Sequence, residues 1–170
     1  MLTEREKDKI RQDIIRISNE LLKWPEDKVK SLLKERLERE GWNVNTISLG
    51  YEKGRDLEAQ KGDLTIIIEA KGEPKSPLTY LVQRRSYVQG ALASIAAWMK
   101  EENPKTRYLI AFPENGYYPR GVKNLIPALV RKKLGLLAVF INEDSSVETL
   151  FPYSDEVTQL NRFDDLFSKR

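Results

Sequence analysis

The sequence predicts an α/β protein in which a mixed central sheet is covered by helices on both faces. Apolar periodicity along the 170 residues gives the order α-α-β-β-β-α-β-α-β-β-α. The first three strands follow one another as a meander, whereas strands alternate with helices in the second half. The run Ile66-Ile67-Ile68 indicates that the third strand is buried on both faces and central in the sheet.

Two helices are predicted before the sheet. In the first, Thr3 and Glu6 have the spacing of a capping box, and apolar residues recur at helical intervals as far as Trp24. Pro25 fits the first turn of the second helix, and Gly41 fits its C-terminal end. Further helices are expected at residues 78–101, 122–134 and 155–169.

The strands are predicted from short apolar or alternating segments bounded by glycine, proline and polar residues. They are expected at residues 42–49, 56–60, 63–71, 107–112, 136–142 and 147–151, with the last at an edge of the sheet. A turn is expected over residues 51–55, and residues 117–120 are expected to form an aromatic loop that contains a proline.

The composition limits the chemistry that the chain can perform. It contains no cysteine and no histidine, which excludes disulfides, thiol nucleophiles, histidine-dependent triads and structural zinc sites. Carboxylates without His or Cys favour a hard ion such as Mg²⁺ or Mn²⁺. The net charge of +3 and the pI of about 9.0 permit a nucleic-acid partner without requiring one.

The chain is expected to be one domain spanning residues 1–170, with residues 1–24 as an N-terminal helical extension. No run of about 18 apolar residues is present, and the charged N-terminus lacks the apolar stretch of a signal peptide. The sequence therefore predicts a cytoplasmic protein with no membrane partner.

The hairpin formed by the second and third strands brings three charged residues together. With Lys61-Gly62 as a two-residue loop, Asp56 would face Ile67 on the neighbouring strand. Residues two apart on a strand share a face, so Asp56, Glu69 and Lys71 would lie on one side of the sheet. Asp56 and Glu69 would then be diagonal neighbours, roughly 7–8 Å apart at the backbone, and could bind one divalent cation.

A simpler interpretation is an ion pair between Glu69 and Lys71 on the sheet surface, because Glu-x-Lys triplets are common by chance. Asp56 on the same face and the buried isoleucine run favour a functional site. Asp63 also precedes the triplet, but its place in the tight turn predicts a turn role.

These residues resemble the core of the PD-(D/E)xK nuclease superfamily. The segments GRDLEAQ and DLTIIIEAKG resemble its motif strands, LKERLEREGWNV resembles the helix leading into them, and the resemblance extends roughly from Pro25 to Phe151. The proline of the family motif is absent because Arg55 precedes Asp56, and the Gly54-x-Asp56 form resembles the Mrr-like branch. The resemblance implies a restriction endonuclease-like fold of three αβα layers, with a mixed central sheet built from a β-meander and then a βαβ unit.

The resemblance also implies a site. Asp56 and Glu69 would bind Mg²⁺ (or Mn²⁺) together with the backbone carbonyl of Ala70, and Lys71 would orient or activate the attacking water. A carboxylate-bound Mg²⁺ lowers the pKa of bound water and stabilises the charge that develops on the phosphate. The implied activity is that of a metal-dependent endodeoxyribonuclease, which hydrolyses phosphodiester bonds of DNA.

The helix after the third strand carries two further candidates. Gln83 and Tyr87 lie four residues apart and resemble a Gln-x-x-x-Tyr motif found near the active site of RecB-like members. Gln89 is an alternative to Gln83, and a partly exposed polar helix face explains these residues equally well.

Many relatives also carry a glutamate on the helix that precedes the first core strand. Glu26 is the best placed candidate, and Glu35 and Glu38 are rivals. Because this helix is rich in charge, solvation at the surface is the simpler explanation for all three.

Several basic and aromatic residues are candidates for contact with nucleic acid. The pair Arg84-Arg85 suits phosphate contacts or a solvated surface, while Tyr117, Tyr118 and Arg120 suit stacking on bases or packing within the domain. The segment Arg131-Lys132-Lys133 is interpreted first as positive charge that stabilises the C-terminal end of a helix, and second as a DNA contact.

The sequence is compatible with three functions. The first is a Mg²⁺-dependent nuclease acting on DNA. The second is a nuclease-fold protein that binds DNA or regulates without cutting, since the layout also resembles cyanobacterial excision-controlling factors, which share this fold and assist DNA rearrangement. The third is a protein-interaction domain of a mobile-element or defence system, with no direct role on DNA. Many relatives that cut duplexes dimerise, because two strands need two sites, and by analogy a homodimer is possible here.

Overall fold

The computed structural model describes residues 3–47, 55–99 and 103–168. Within these residues the chain forms a seven-stranded mixed sheet with helices packed on both faces, which confirms the predicted three-layer α/β architecture. The helices are α1 (Glu4–Leu22), α2 (Glu26–Arg39), α3 (Tyr80–Trp98), α4 (Tyr117–Leu125), α5 (Ala128–Leu134) and α6 (Asp165–Ser168). The strands are β1 (Asn43–Ile47), β2 (Leu57–Lys61), β3 (Leu64–Ala70), β4 (Thr106–Pro113), β5 (Leu136–Ile141), β6 (Val147–Leu150) and β7 (Val157–Leu160).

The strands lie in the sheet in the same order as in the sequence. The pairs within β1-β2-β3 are antiparallel, those within β3-β4-β5 are parallel, and those within β5-β6-β7 are antiparallel again. Helix α3 links β3 to β4, and α4 with α5 links β4 to β5, because parallel neighbours need a crossover connection. The sheet therefore begins with the predicted meander and continues with βαβ units.

The central strand β3 contributes its two faces to two hydrophobic cores. Ile66 and Ile68 pack on the side of α2, with Leu33 in the same cluster. Ile67 packs on the opposite side with Ile95 of α3. The isoleucine run is thus buried on both faces, as the sequence predicts, and it fixes the strand that carries the candidate site.

The β2–β3 hairpin differs in register from the predicted one. Lys61 pairs with Leu64 and Leu57 pairs with Ile68, so the two loop residues are Gly62-Asp63. Gly62 has a positive φ of 61°, which glycine adopts easily in a tight hairpin turn. The predicted pairing is wrong by two residues, and since this is an even number, every side chain remains on its predicted face.

The segment after β4 is also organised differently from the prediction. The expected loop at residues 117–120 belongs to helix α4, and the expected helix at residues 122–134 is divided into α4 and α5. Pro127 lies at the division as the N-cap of α5, because proline lacks the N–H that a continuous helix would need and its ring obstructs the preceding turn.

The C-terminal segment corrects two further predictions. Strand β6 does not lie at the edge, because β7 pairs with it in antiparallel orientation. The expected helix over residues 155–169 is replaced in its first half by β7, and the helix α6 is only four residues long. The β-branched pair Val157-Thr158 favours the strand, and pairing with β6 satisfies its backbone.

Helix α1 begins as predicted. The Thr3 hydroxyl accepts a hydrogen bond from the N–H of Glu6, and the Glu6 carboxylate accepts one from the N–H of Thr3, which completes the capping box. None of the described helices is long and apolar enough to cross a membrane. Most of the expected turn at residues 51–55, including Gly54, and the ends of the expected strand 42–49 and helix 78–101 lie outside the described residues.

Candidate metal site

The candidate site lies at the C-terminal end of the central strand β3. Asp56 directly precedes β2, and Glu69 is the last residue but one of β3. The pairing of Leu57 with Ile68, continued by one residue, places Asp56 opposite Glu69 rather than diagonal to it. The corrected register therefore brings the two predicted carboxylates closer together than the sequence indicates.

Both carboxylates are buried and ion-paired. The exposed fraction is 7% for Asp56 and 5% for Glu69. Removing an ionised carboxylate from water is unfavourable unless it is paired. Lys30 Nζ lies 2.8 Å from Asp56 Oδ1, and Lys71 Nζ lies 2.7 Å from Glu69 Oε1.

Asp56 is held through both of its carboxylate oxygens. Oδ1 pairs with Lys30, and Oδ2 accepts a hydrogen bond of 2.8 Å from the backbone N–H of Ala70. The second bond joins the start of β2 to the end of β3 and fixes the Asp56 side chain. Each carboxylate oxygen has two acceptor positions, so Asp56 retains the capacity to bind a cation while it keeps these partners.

The environment of Glu69 favours its neutral form more than water does. Burial raises the pKa of the Glu69 carboxyl, the hydrogen bond from Lys71 opposes this, and the negative charge of Asp56 raises the pKa further. A hydrogen bond with the Ser94 side chain of α3 acts to lower it. The contribution of Asp56 means that the two carboxylates repel each other, and a shared divalent cation would relieve that repulsion.

Lys71 follows β3 and lies between two glutamates. Its Nζ is 2.7 Å from Glu69 Oε1 and 3.6 Å from Glu26 Oε2. Burial acts to lower the pKa of the Lys71 ammonium group, but the hydrogen bond to Glu69 and the charges of Glu69, Glu26 and Asp56 together raise it. Lys71 is therefore a fixed cation at neutral pH rather than a proton acceptor.

Helix α2 brings Glu26 and Lys30 to the same place. Lys30 Nζ is 2.8 Å from Glu26 Oε1, the same separation as from Asp56. Burial acts to lower the pKa of Lys30, but its hydrogen bonds and charge interactions with Asp56 and Glu26 raise it overall. Glu35 and Glu38 are exposed, so Glu26 is the candidate glutamate of this helix that reaches the site.

Lys30 is the site residue that sequence reasoning misses. It is 1% exposed although it is a lysine, and it lies beside Val29 on the buried side of α2, one helical turn after Glu26. A lysine on the apolar side of a helix needs a buried anion as partner. The position of Lys30 next to Val29 on the apolar side of α2 therefore indicates an acidic partner on the adjoining sheet.

A glycine after Lys71 allows α2 to start against the end of β3. A Cβ atom at Gly72 would lie 2.5 Å from Trp24 O and 2.7 Å from Pro25 C, and it would be even closer to the backbone nitrogen of Glu26. The neighbouring Glu73 N–H donates a hydrogen bond of 2.7 Å to Trp24 O. This close backbone contact sets the position of Glu26 relative to Lys71.

The predicted α3 residues lie along the helix face that reaches Glu69. Gln83 and Tyr87 are half-buried, and Ser94, two turns beyond Tyr87, is the α3 side chain that bonds to Glu69. Gln89, the alternative, is exposed.

The two arginines of α3 have different surroundings. Arg84 donates hydrogen bonds of 2.7 and 2.9 Å to the buried Glu73, and its guanidinium group lies 4.9 Å from the centre of the Tyr80 ring. Asn115 also donates to Glu73. Arg84 is therefore a structural partner of Glu73, and Arg85 is the exposed arginine of this pair.

The aromatic and basic residues of α4 and α5 are mainly structural. Tyr118 is fully buried, stacks on Phe112 with ring centres 4.5 Å apart, and donates a hydrogen bond of 2.8 Å to Gly72 O. Arg131 is fully buried and donates to Ile126 O at 2.7 Å and to the Asp155 carboxylate at 2.6 Å. The hypothesis that Tyr118 stacks on bases is wrong, because burial makes its ring inaccessible.

The donor atoms at the site match the preference of Mg²⁺ for oxygen. Mg²⁺ is usually held by one or two carboxylates and keeps several waters. Asp56, Glu69 and the carbonyl of Ala70 would provide such a set. Over residues 3–47, 55–99 and 103–168, no group of three or more acidic side chains is arranged to hold a metal ion. The residues thus fit an ion bound by two side chains and water, and not a cage of carboxylates.

A cleft of about 720 Å³ opens beside the site, at the carboxyl ends of β3, β4 and β5. Among the described residues that line it, five acids outnumber the two bases, Lys23 and Arg84. Negative charge disfavours phosphate groups, so this cleft does not suit the backbone of a nucleic acid.

Comparison with known proteins gives only remote similarity. No protein-family model matches the chain, and no curated protein matches it significantly. Among solved structures, the chain is similar to an XisH family protein from Nostoc punctiforme, with 17% identity, a TM-score of 0.46, and coverage of 70% of this chain and 94% of the other. It is also similar to an FdxN element excision controlling factor protein from Anabaena variabilis, with 16% identity, a TM-score of 0.47, and coverage of 71% and 95%. At these values the similarity does not assign a function.

Proposed function

We propose that the protein is a Mg²⁺-dependent nuclease of the PD-(D/E)xK superfamily that hydrolyses phosphodiester bonds of DNA. The observation that carries this proposal is the position of two buried carboxylates. Asp56 and Glu69 lie opposite each other at the C-terminal end of β3, and Lys71 contacts Glu69. Two such acids are unfavourable as neighbours unless cations accompany them. Lys30 and Lys71 balance two of the three carboxylates at the site, Glu26, Asp56 and Glu69, and a divalent ion would offset the remaining negative charge.

Each residue of the site has a distinct role in the proposal. Asp56 and Glu69 hold the ion, together with the carbonyl of Ala70. Mg²⁺, when bound, lowers the pKa of a water molecule and stabilises negative charge on the phosphate. Lys71 orients the attacking water, because an ammonium group has three donors and Glu69 Oε1 takes one of them at 2.7 Å.

The raised pKa of Lys71 makes its role one of orientation and charge stabilisation. A general base must be able to accept a proton near the working pH. Lys71 carries a positive charge in this environment, so it would orient the attacking water and stabilise negative charge near the phosphate instead of accepting a proton.

A nuclease assay with matched variants tests this proposal. Purified protein is incubated with plasmid and single-stranded DNA in Mg²⁺ or Mn²⁺, and the expected result is cleavage that EDTA abolishes. Asp56→Asn, Glu69→Gln and Lys71→Met should each lower the rate by at least about 100-fold, equivalent to about 2.7 kcal/mol of transition-state stabilisation. Asp63→Asn is the matched control, because Asp63 is exposed in the loop of the same hairpin and pairs with Lys105.

A second candidate function has its own supporting observation. Lys30 and Lys71 already form ion pairs with Asp56 and Glu69 within the chain, so these two buried carboxylates have cationic partners without a metal ion. This favours a catalytically silent nuclease-fold protein that binds DNA or acts as a regulator in a mobile-element, excision or defence system. DNA binding in a gel shift, with neither Mn²⁺ binding nor cleavage, would select this alternative over the nuclease.

A further inference from the structure

Lys30 lies where a bridging cation would otherwise be needed. Its ammonium nitrogen is 2.8 Å from Glu26 Oε1 and 2.8 Å from Asp56 Oδ1, so one cation joins a carboxylate of α2 to a carboxylate of the sheet. The side chain is 2% exposed, and both acids are restrained by other contacts. The pairing is therefore a built part of the site and not an arrangement of mobile surface groups.

We propose that the Lys30 ammonium group takes the place of a second divalent cation between Glu26 and Asp56, so that the site holds a single metal ion. This inference rests on the proposed function, since it concerns the number of ions that the same site binds. It gives Glu26 a positioning role toward the two lysines instead of a metal-ligand role.

Space supports the exclusion of a second ion. An ion bridging Glu26 and Asp56 would lie about 2.1 Å from an oxygen of each, if it were Mg²⁺. The ammonium nitrogen already lies between one oxygen of each acid. Both cations cannot occupy this gap, and a lysine attached to α2 is present at all metal concentrations.

Charge supports the same conclusion. The site combines three carboxylates, Glu26, Asp56 and Glu69, with two ammonium groups, Lys30 and Lys71. These five groups sum to about −1 when all are ionised, and one divalent ion changes the sum to about +1. A second divalent ion would leave a large uncompensated positive charge in a buried place, which is strongly unfavourable.

The arrangement leaves one place for an ion. Asp56 keeps acceptor capacity on both oxygens in addition to its bonds with Lys30 and Ala70. Glu69 lies opposite Asp56 and contacts Lys71 through Oε1. One ion between Asp56 and Glu69 is therefore compatible with the ion pairs that Lys30 makes with Glu26 and Asp56.

The test counts bound Mn²⁺ per chain by the loss of the free-ion signal in electron paramagnetic resonance. The expected number is one for the wild type and one for Glu26→Gln, because Glu26 is not a metal ligand. Lys30→Met opens the gap between Glu26 and Asp56, so the number should rise to two at high Mn²⁺. Lys34→Met, which removes a half-exposed lysine one turn later on the same helix, should leave the number at one.

Thermal unfolding with and without Mn²⁺ gives a second readout. Without metal, Lys30→Met should unfold at a lower temperature than the wild type. Saturating Mn²⁺ should raise the unfolding temperature of Lys30→Met by more than it raises that of the wild type. If Lys30→Met does not fold, the wild type and Glu26→Gln still decide the question.

Two ions in the wild type, with the second lost in Glu26→Gln, would overturn the inference and leave the proposed nuclease intact. A folded Lys30→Met that binds only one ion would also overturn it. If the wild type binds no Mn²⁺, the proposed function fails and the inference fails with it.

Discussion

A Gly72→Ala substitution tests how the end of β3 positions α2. The added methyl group would lie 2.5 Å from Trp24 O and 2.7 Å from Pro25 C, whereas ordinary contacts to a carbon atom are about 3.5 Å. The obstructing atoms all belong to the backbone and cannot rotate away. We expect the Trp24–Pro25 segment to move by about 1 Å, which weakens the 2.7 Å hydrogen bond from Glu73 N–H to Trp24 O.

The magnitude follows from two contributions. Overpacking of a close contact costs about 1–3 kcal/mol, and loss of a buried backbone hydrogen bond costs about 1 kcal/mol more. The free energy of unfolding should therefore fall by about 2–4 kcal/mol. In urea denaturation followed by circular dichroism, this lowers the midpoint by about 1–2 M.

Gly90→Ala is the control for Gly72→Ala. Gly90 is exposed on helix α3, and a Cβ atom there would have no neighbour within 4 Å. Alanine has the higher helix propensity, so this variant should be stabilised by up to about 1 kcal/mol. A Gly72→Ala protein within about 0.5 kcal/mol of the wild type would refute the proposed contact between β3 and α2.

Two further predictions concern the buried residues Arg131 and Tyr118. Arg131→Ala should lower the free energy of unfolding by about 2–4 kcal/mol, since it removes the charged hydrogen bonds to Ile126 O and Ser154 O, whereas exposed Lys132→Ala should change it by less than about 0.5 kcal/mol in the same urea titration. Equal effects for the two would contradict the buried role of Arg131. Burial raises the pKa of the Tyr118 hydroxyl above its ordinary value of 10.0, so the folded state keeps a proton that the unfolded state loses. The contribution of Tyr118 to stability should be complete below pH 10 and decline above it, and Tyr118→Phe should reduce that alkaline decline in thermal unfolding. An unchanged slope in Tyr118→Phe would show that other groups govern alkaline stability.

The sequence predicts the position of Asp56, Glu69 and Lys71 for a physical reason that survives an error in the hairpin. Strands alternate faces with a period of two, so a register error of two residues leaves each side chain on its face. The error changes only the separation between Asp56 and Glu69, from a diagonal relation to an opposed one. Strong patterns, such as the isoleucine run of β3 and the capping box of α1, specify their local structure in the same direct way.

Features that depend on tertiary packing cannot be predicted from local sequence patterns. The strand β7 has only four residues, and its pairing with β6 decides its conformation. Tyr118 resembles a loop aromatic until the stacking on Phe112 is known. The partner of Lys30 lies 26 residues further along the chain, so its pairing with Asp56 could not follow from local sequence.

A crystal structure of the protein grown with Mn²⁺, with anomalous scattering used to locate the ion, tests whether Asp56 and Glu69 bind a metal. We expect one anomalous peak per chain, with carboxylate oxygens of Asp56 and Glu69 at about 2.0–2.3 Å and Lys30 still bridging Glu26 and Asp56. If a protein saturated with Mn²⁺ shows no peak at these two acids, they do not form a metal site.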